Sequence, residues 1–210
     1  MEVYPIIKDK AWFSIKGNEY LKRAIEVSLT GQHTITVIGN VDNGKDYIET
    51  IYKSRDIEDR IFNENLLIFI EPCLCGNFGD PFRSCDCPTE KIIEHRLTDT
   101  YRQAMRSSIL VKLDTPLFKD FTNGQEHFSI VVKSIEKSIK NFGDNVFKNI
   151  TDFSAMELLE TAYKRISFTM CQVERIKHIS RTIALMDNSE VVKPSHMAES
   201  IQYQIIERRG

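Results

Sequence analysis

Cys73-x-Cys75 and Cys85-x-Cys87, nine residues apart, place four of the chain's five cysteines in one loop that also bears Gly76, Gly79 and Pro81. Thiolates are the soft ligands that Zn²⁺ accepts. Four of them close a tetrahedral shell with no position left for water, so such a set is expected to be structural rather than catalytic. The alternatives are reduced free thiols or a redox pair; Cys171, alone in a helical segment, reads as an ordinary buried cysteine. A second segment, Gly39-Asn40-Val41-Asp42-Asn43-Gly44-Lys45-Asp46, carries the glycines and lysine with which G-x-x-x-x-G-K-[ST] loops cradle phosphate. In that reading Gly39, Asn40, Asn43, Gly44, Lys45 and Asp46 form the ATP-binding set. Backbone N–H groups and the start of a helix face the phosphates, and Lys45 reaches the β and γ oxygens. Asp46 stands where the motif has the hydroxyl that ligates Mg²⁺, and Asp42 adds another negative charge. The other reading is a strand-to-helix turn whose glycines serve backbone geometry alone.

Hydrolysis would also need an acid holding Mg²⁺ at the end of a neighbouring strand. Leu66-Leu-Ile-Phe-Ile70-Glu71 offers Glu71 in such a place without the usual preceding Asp, and its plainer reading is a buried strand with a carboxylate at its exit. Lys91, Arg96, Arg102, Arg106 and Lys112, interrupted by Glu94 and Asp99, form a basic stripe that would meet nucleic-acid phosphates by charge alone. The bland counterpart is a solvated helix face.

These residues need a scaffold. Residues 18 to 29 place Leu21, Ala24, Ile25, Ser28 and Leu29 on one helical face, with Gly31 as a stop. Thr34 to Ile38, Leu66 to Ile70 and Ile109 to Leu113 are short apolar runs bounded by turn residues, as buried strands are. Helices are expected over Lys45 to Ser54, over residues 89 to 106 and over 128 to 142. Ser154 with Glu157 reads as a capping box, and Pro194 suits the first turn of a last helix. Strands alternating with helices give an α/β fold with a small parallel sheet. With 210 residues, 41% hydrophobic and 28% charged, the chain is long and apolar enough for a real core, which excludes a disordered or fibrous protein. Its net charge of -2 neither demands nor excludes nucleic acid. The longest strongly apolar run, Leu66 to Ile70, falls far short of the ~20 residues of a membrane span, and MEVYPIIKDK has no signal-peptide apolar region. A cytoplasmic protein without a membrane segment is expected.

Three blocks resemble the magnesium-chelatase-related AAA+ ATPases of the competence type (ComM/YifB-like). Phe13-Ser-Ile-Lys-Gly17, Lys22-Arg-Ala-Ile-Glu26, Gly39 and Lys45 are similar to that family's F-x-D-I-x-G…K-R-A-L-E…G…G-x-G-K-T opening. Pro72-Cys-Leu-Cys-Gly76…Gly79-Asp80-Pro81…Cys85-Asp-Cys87 resembles its P-C-P-C-G…G-D…C-x-C loop. Arg181-Thr-Ile-Ala-Leu185 and Met197-Ala-Glu-Ser-Ile-Gln-Tyr203 resemble the end of its helical lid. The resemblance implies a shortened P-loop (AAA+-like) core over residues 1–120, with the cysteine loop at 72–88, and a helical lid-like domain over 121–210.

It also implies losses. The family's Mg²⁺-binding acidic strand is missing, and its γ-phosphate sensor Asn is Glu71. Its D-R-I-D-L becomes Met105-Arg106-Ser107-Ser108-Ile109, where Arg106 matches an arginine finger. The lid's sensor arginine falls at Cys171. The implied function is that of a degenerate relative, at most a weak ATP-binding module with impaired hydrolysis. The alternatives are an active ATP-dependent DNA-processing ATPase of the branch-migration or competence type, and a noncatalytic scaffold for AAA+ subunits. The implied partners are an AAA+ homo- or hetero-oligomer and nonspecific, weakly held DNA.

Overall fold

The computed structural model describes residues 3–53, 61–121, 127–144 and 150–205. Three strands of four residues, β1 (Ile35–Ile38), β2 (Leu67–Ile70) and β3 (Ile109–Lys112), form a parallel sheet in the order β2-β1-β3. The central strand, Ile-Thr-Val-Ile, is buried at all four positions, which is where β-branched side chains fit a pleated surface covered on both faces. Parallel strands need crossovers. Among the described residues, α3 (Lys45–Tyr52) lies between β1 and β2, and α4 (Thr89–Arg96) with α5 (Asp99–Ala104) between β2 and β3. The register pairs Ile38 with both Ile70 and Lys112. The loops that start at Gly39, Glu71 and Leu113 therefore leave the sheet side by side, at the carboxyl end where open α/β sheets bind ligands.

The remaining helices are α1 (Val3–Ser14), α2 (Glu19–Gly31), α6 (Phe128–Asp144), α7 (Phe153–Ile166), α8 (Met170–Met186) and α9 (Pro194–Gln202). One apolar cluster joins the sheet to α1, α2, α3 and α6, and takes Ile179, Ile183 and Tyr203 from the C-terminal part. Trp12 of α1, which no sequence pattern singled out, packs on Phe128 of α6 with ring centroids 4.9 Å apart. A second cluster is built from α7, α8 and α9 through Ala155, Leu159, Ile176, Ala184, Met197 and Ile201. Thus α8 contributes one face to each cluster. No described helix is long and apolar enough to cross a membrane.

Several expected boundaries shift for local reasons. The helix expected over residues 89 to 106 is two helices, because Thr98 takes an extended conformation and its hydroxyl accepts from the Tyr101 N–H, starting α5 afresh. The left-handed residue that ends α2 is Gln32, at φ 52°, and not Gly31. Gly31 is instead a point of close approach: a Cβ there would lie 2.3 Å from His33 Nε2 and 2.6 Å from Thr182 Oγ1. Helix α7 is capped by Asp152, whose carboxylate accepts from the Ser154 N–H, so Ser154 lies inside the helix it was expected to open. Pro194 occupies the first turn of α9 as expected, and Ser54 lies outside the described residues.

Candidate functional site

The cysteine loop leaves β2 through Pro72 and folds at once, with the Gly76 N–H donating to the Cys73 carbonyl at 3.1 Å. Gly76 and Gly79 take positive φ of 74° and 79°, turns that bring the two C-x-C pairs face to face. The Sγ atoms of Cys73 and Cys75 are 3.4 Å apart, and Cys85 Sγ lies 3.6 Å from each of them. With Cys87, all four sulfurs lie within 4.8 Å of one another. A zinc–sulfur bond of ~2.3 Å implies tetrahedron edges of about 3.8 Å, so the donor set fits zinc in both number and spacing. Cys73 is buried and the other three are partly exposed.

The electrostatics favour a cation. An N–H from Asn77 favours the Cys75 thiolate and brings its pKa down to about 6. The Cys87 N–H acts the same way on Cys85. Desolvation and the neighbouring sulfurs of Cys73 and Cys75 outweigh it, pushing Cys85 up to about 12. Cys87 is also raised, by desolvation first and then by the sulfurs of Cys75 and Cys73. Sulfurs this crowded resist ionising together, and a divalent ion removes that resistance. Cys171 has no part in this set; it is exposed near the start of α8, contrary to the buried position expected for it.

The second candidate, Gly39 to Asp46, lies between β1 and α3. The Gly39 N–H donates to the Ile70 carbonyl at 3.1 Å, extending the ladder by one residue. A Cβ on Gly39 would lie 2.8 Å from the Leu113 carbonyl oxygen, so this glycine is required by the neighbouring backbone whatever else the loop does. We expect Gly39→Ala to cost about 1–3 kcal/mol by forcing the exit of β3 aside, read as a lowered urea midpoint with an unchanged slope.

Asn40 then caps a 3₁₀ turn over Val41–Asn43, its side-chain oxygen accepting from the Asp42 N–H at 2.9 Å. The Asn43 N–H donates to the Asn40 carbonyl at 3.1 Å, and the Gly44 N–H to the Val41 carbonyl at 3.4 Å. Gly44, at φ 129°, starts α3. Lys45 Nζ lies 3.5 Å from Glu49 Oε1 and 5.8 Å from the Phe69 ring centre. The side chains of Asp42 and Asp46 are exposed.

The two candidates meet. Asn40 Nδ2 donates to Asn77 Oδ1 at 2.8 Å. Asn43 Nδ2 donates to Thr115 Oγ1 at 2.8 Å, and the Thr115 hydroxyl donates to the Asp80 carboxylate. Glu71 sits beside Gly39 at the end of β2, with its carbonyl oxygen 2.9 Å from His95 Nε2. The space left among Gly39, Asn40, Asn43, Gly76, Asp80 and Thr115 is a cavity of about 40 Å³, against ~300 Å³ or more for pockets that enclose small ligands. Sequence reasoning missed Asn77, Asp80 and Thr115 as partners of this loop. Thr115 and Asp80 are 35 positions apart, and only the strand register brings them together.

Arg106 is not brought to this end of the sheet. It precedes β3 by three residues, whereas the loop follows β1, so the length of the sheet separates them. The expected basic stripe is also divided. Lys91 pairs with Glu94 at 2.7 Å, Arg96 lies over the Phe78 ring at 4.7 Å, and Lys112 is at the far end of β3 from Arg106. Arg102 and Arg106 remain exposed at the sheet's amino end, where Arg175 Nη1 reaches the Ser107 carbonyl at 3.4 Å.

Residues 145–204 match the family described as magnesium chelatase, subunit ChlI C-terminal. The match takes in α7, α8 and α9 and supports a magnesium-chelatase-related family for this part of the chain. No curated protein matches the chain.

Proposed function

We propose that the chain is a degenerate relative of the magnesium-chelatase-like AAA+ ATPases, a zinc-stabilised module with at most weak ATP binding and no effective hydrolysis. The observation that carries this reading is the fate of the loop's backbone donors. In a working phosphate loop these N–H groups point at the nucleotide. Here the N–H groups of Asp42, Asn43 and Gly44 are bonded to oxygens of Asn40 and Val41 within the loop itself. A phosphate would have to break that turn before it could be held.

The groups that would act on a bound nucleotide support the same reading. Lys45 is paired with Glu49. Asp46 brings a charge where the motif has a hydroxyl, so a carboxylate, that of Asp46 or Glu71, would hold Mg²⁺ in its place. When bound, Mg²⁺ would supply positive charge to offset that of the phosphates. Arg106 lies at the opposite end of the sheet, so any arginine-finger role would have to be played toward another subunit. Weak DNA contact, if made by charge, would use Arg102 and Arg106 rather than a continuous stripe, and would fall steeply with salt. The division into a core of residues 1–120 and a lid-like part of residues 121–210 belongs to this proposal as its ancestry.

The test is phosphate release by zinc-loaded protein, alone and with DNA, beside a Lys45→Ala control. Each lost positioned group commonly costs on the order of 10² to 10³ in rate, so turnover is expected to be indistinguishable from that control. Robust turnover abolished by Lys45→Ala would show an active ATPase instead.

A further inference from the structure

We propose that Gly76–Asp80 of the cysteine loop is a built-in plug on the Gly39–Lys45 loop, closing it to polyphosphate while the four thiolates are held together. This rests on reading Gly39–Lys45 as a former nucleotide loop. Three contacts along five residues carry it. Gly76 comes so near that a Cβ there would lie 3.0 Å from Asn40 Nδ2 and 2.8 Å from Glu71 Oε1. Asn77 accepts from Asn40 at 2.8 Å. Asp80 is joined to Asn43 through the Thr115 hydroxyl.

Asn40 couples the two loops. Its oxygen holds the 3₁₀ turn through the Asp42 N–H, while its amide nitrogen is held by Asn77. The plug therefore orients the side chain that holds the Asp42 N–H inward. Asp80 adds charge to shape, since it lines the same small cavity as Gly39, Asn40 and Asn43. It also accepts from the N–H groups of Phe82 at 2.8 Å and Arg83 at 3.0 Å. Although desolvation opposes it, these bonds and that of Thr115 keep the Asp80 carboxyl below its usual range, and so ionised at neutral pH.

The metal site supplies the restraint. Cys73 and Cys75 precede the plug and Cys85 and Cys87 follow it, so a shared ion ties both ends of the loop. A short closed loop has little conformational freedom with which to swing away. Loss of the ion returns that freedom to Asn77 and Asp80.

The experiment is calorimetric titration of the full, zinc-loaded chain with inorganic triphosphate and with a nonhydrolysable ATP analogue. The double variant Asn77→Ala/Asp80→Ala keeps all four cysteines, and its zinc content is measured alongside. We expect it to bind both probes at least tenfold more tightly than the parent, with the gain erased by adding Lys45→Ala. Asp80→Asn keeps the shape and removes the charge; it is expected to give a smaller gain in the same direction and covers the case in which the double variant fails to fold. Zinc-loaded variants that bind no better than the parent overturn the plug and leave the proposed function standing. A gain that survives Lys45→Ala also overturns it, by placing the anion elsewhere. Rapid ATP turnover by the parent removes the proposed function itself, a separable result.

Discussion

Cys73→Ser should reduce zinc from about one ion per chain to a trace and lower the melting temperature by ~10 °C or more. Cys73 is the fully buried cysteine of the four, at 0% exposure, so its loss would both open the proposed metal shell and leave a hydroxyl where the sulfur had no access to water. Structural zinc supplies folding free energy directly, because the unfolded chain has no preformed site. For a chain of this size a loss of several kcal/mol corresponds to a shift of that order. Cys171→Ser is the matching control, since that thiol is exposed and apart from the cluster, and it should change neither quantity. Metal analysis of protein purified without oxygen, followed by melting with and without chelator, decides the matter. Metal-free protein whose melting temperature ignores chelator would overturn the zinc assignment.

Acid should weaken the fold between about pH 6.5 and pH 4 through His33. Burial, aided by the nearby His178, brings the His33 pKa down from 6.5 to about 4, and its Nε2 lies 2.8 Å from Thr182 Oγ1. The unfolded chain therefore takes up a proton at a higher pH than the folded one. Stability from a neutral His33 is fully present above the unfolded value, is lost as pH falls from about 6.5 toward about 4, and declines no further below that. The whole loss is on the order of 3 kcal/mol. His33→Gln keeps a partner for Thr182 and has no proton to gain. Urea midpoints at several pH values across this window should therefore fall less steeply for the variant than for the parent. Equal slopes would mean that His33 does not carry the acid sensitivity.

The parts of this molecule that were legible in its sequence are those fixed by near neighbours. Ile35–Ile38 reads as a buried strand because four β-branched residues stand between Thr34 and Gly39, and the spacing of the four cysteines announces a cluster that could hold a metal ion. Two kinds of information were hidden. One was competition within a single turn. Asp152 rather than Ser154 caps α7, and Thr98 splits the helix expected over residues 89 to 106. The other was register. Asn43, Thr115 and Asp80 become partners only because β1 and β3 end level with each other. The phosphate-loop spelling, which departs from the motif at Asp46, says nothing of how the backbone donors are used. The inward turn of the Asp42 N–H rests on the side chain of Asn40, which the motif does not specify.

Tyr203 gives the first apolar cluster a consequence for the order of folding. Its ring is fully buried there, and its carbonyl accepts from the Leu110 N–H at 3.1 Å. During synthesis the three strands emerge with Ile109–Lys112, yet the wall that covers them includes Phe128, Ile179, Ile183 and Tyr203, which arrive later. A nascent chain that has just released β3 from the ribosome must carry a partly uncovered apolar sheet for roughly another 5 to 20 s, at typical elongation rates. That interval is when aggregation competes with folding, so apolar sheet surface stays open to other chains until Tyr203 has been made.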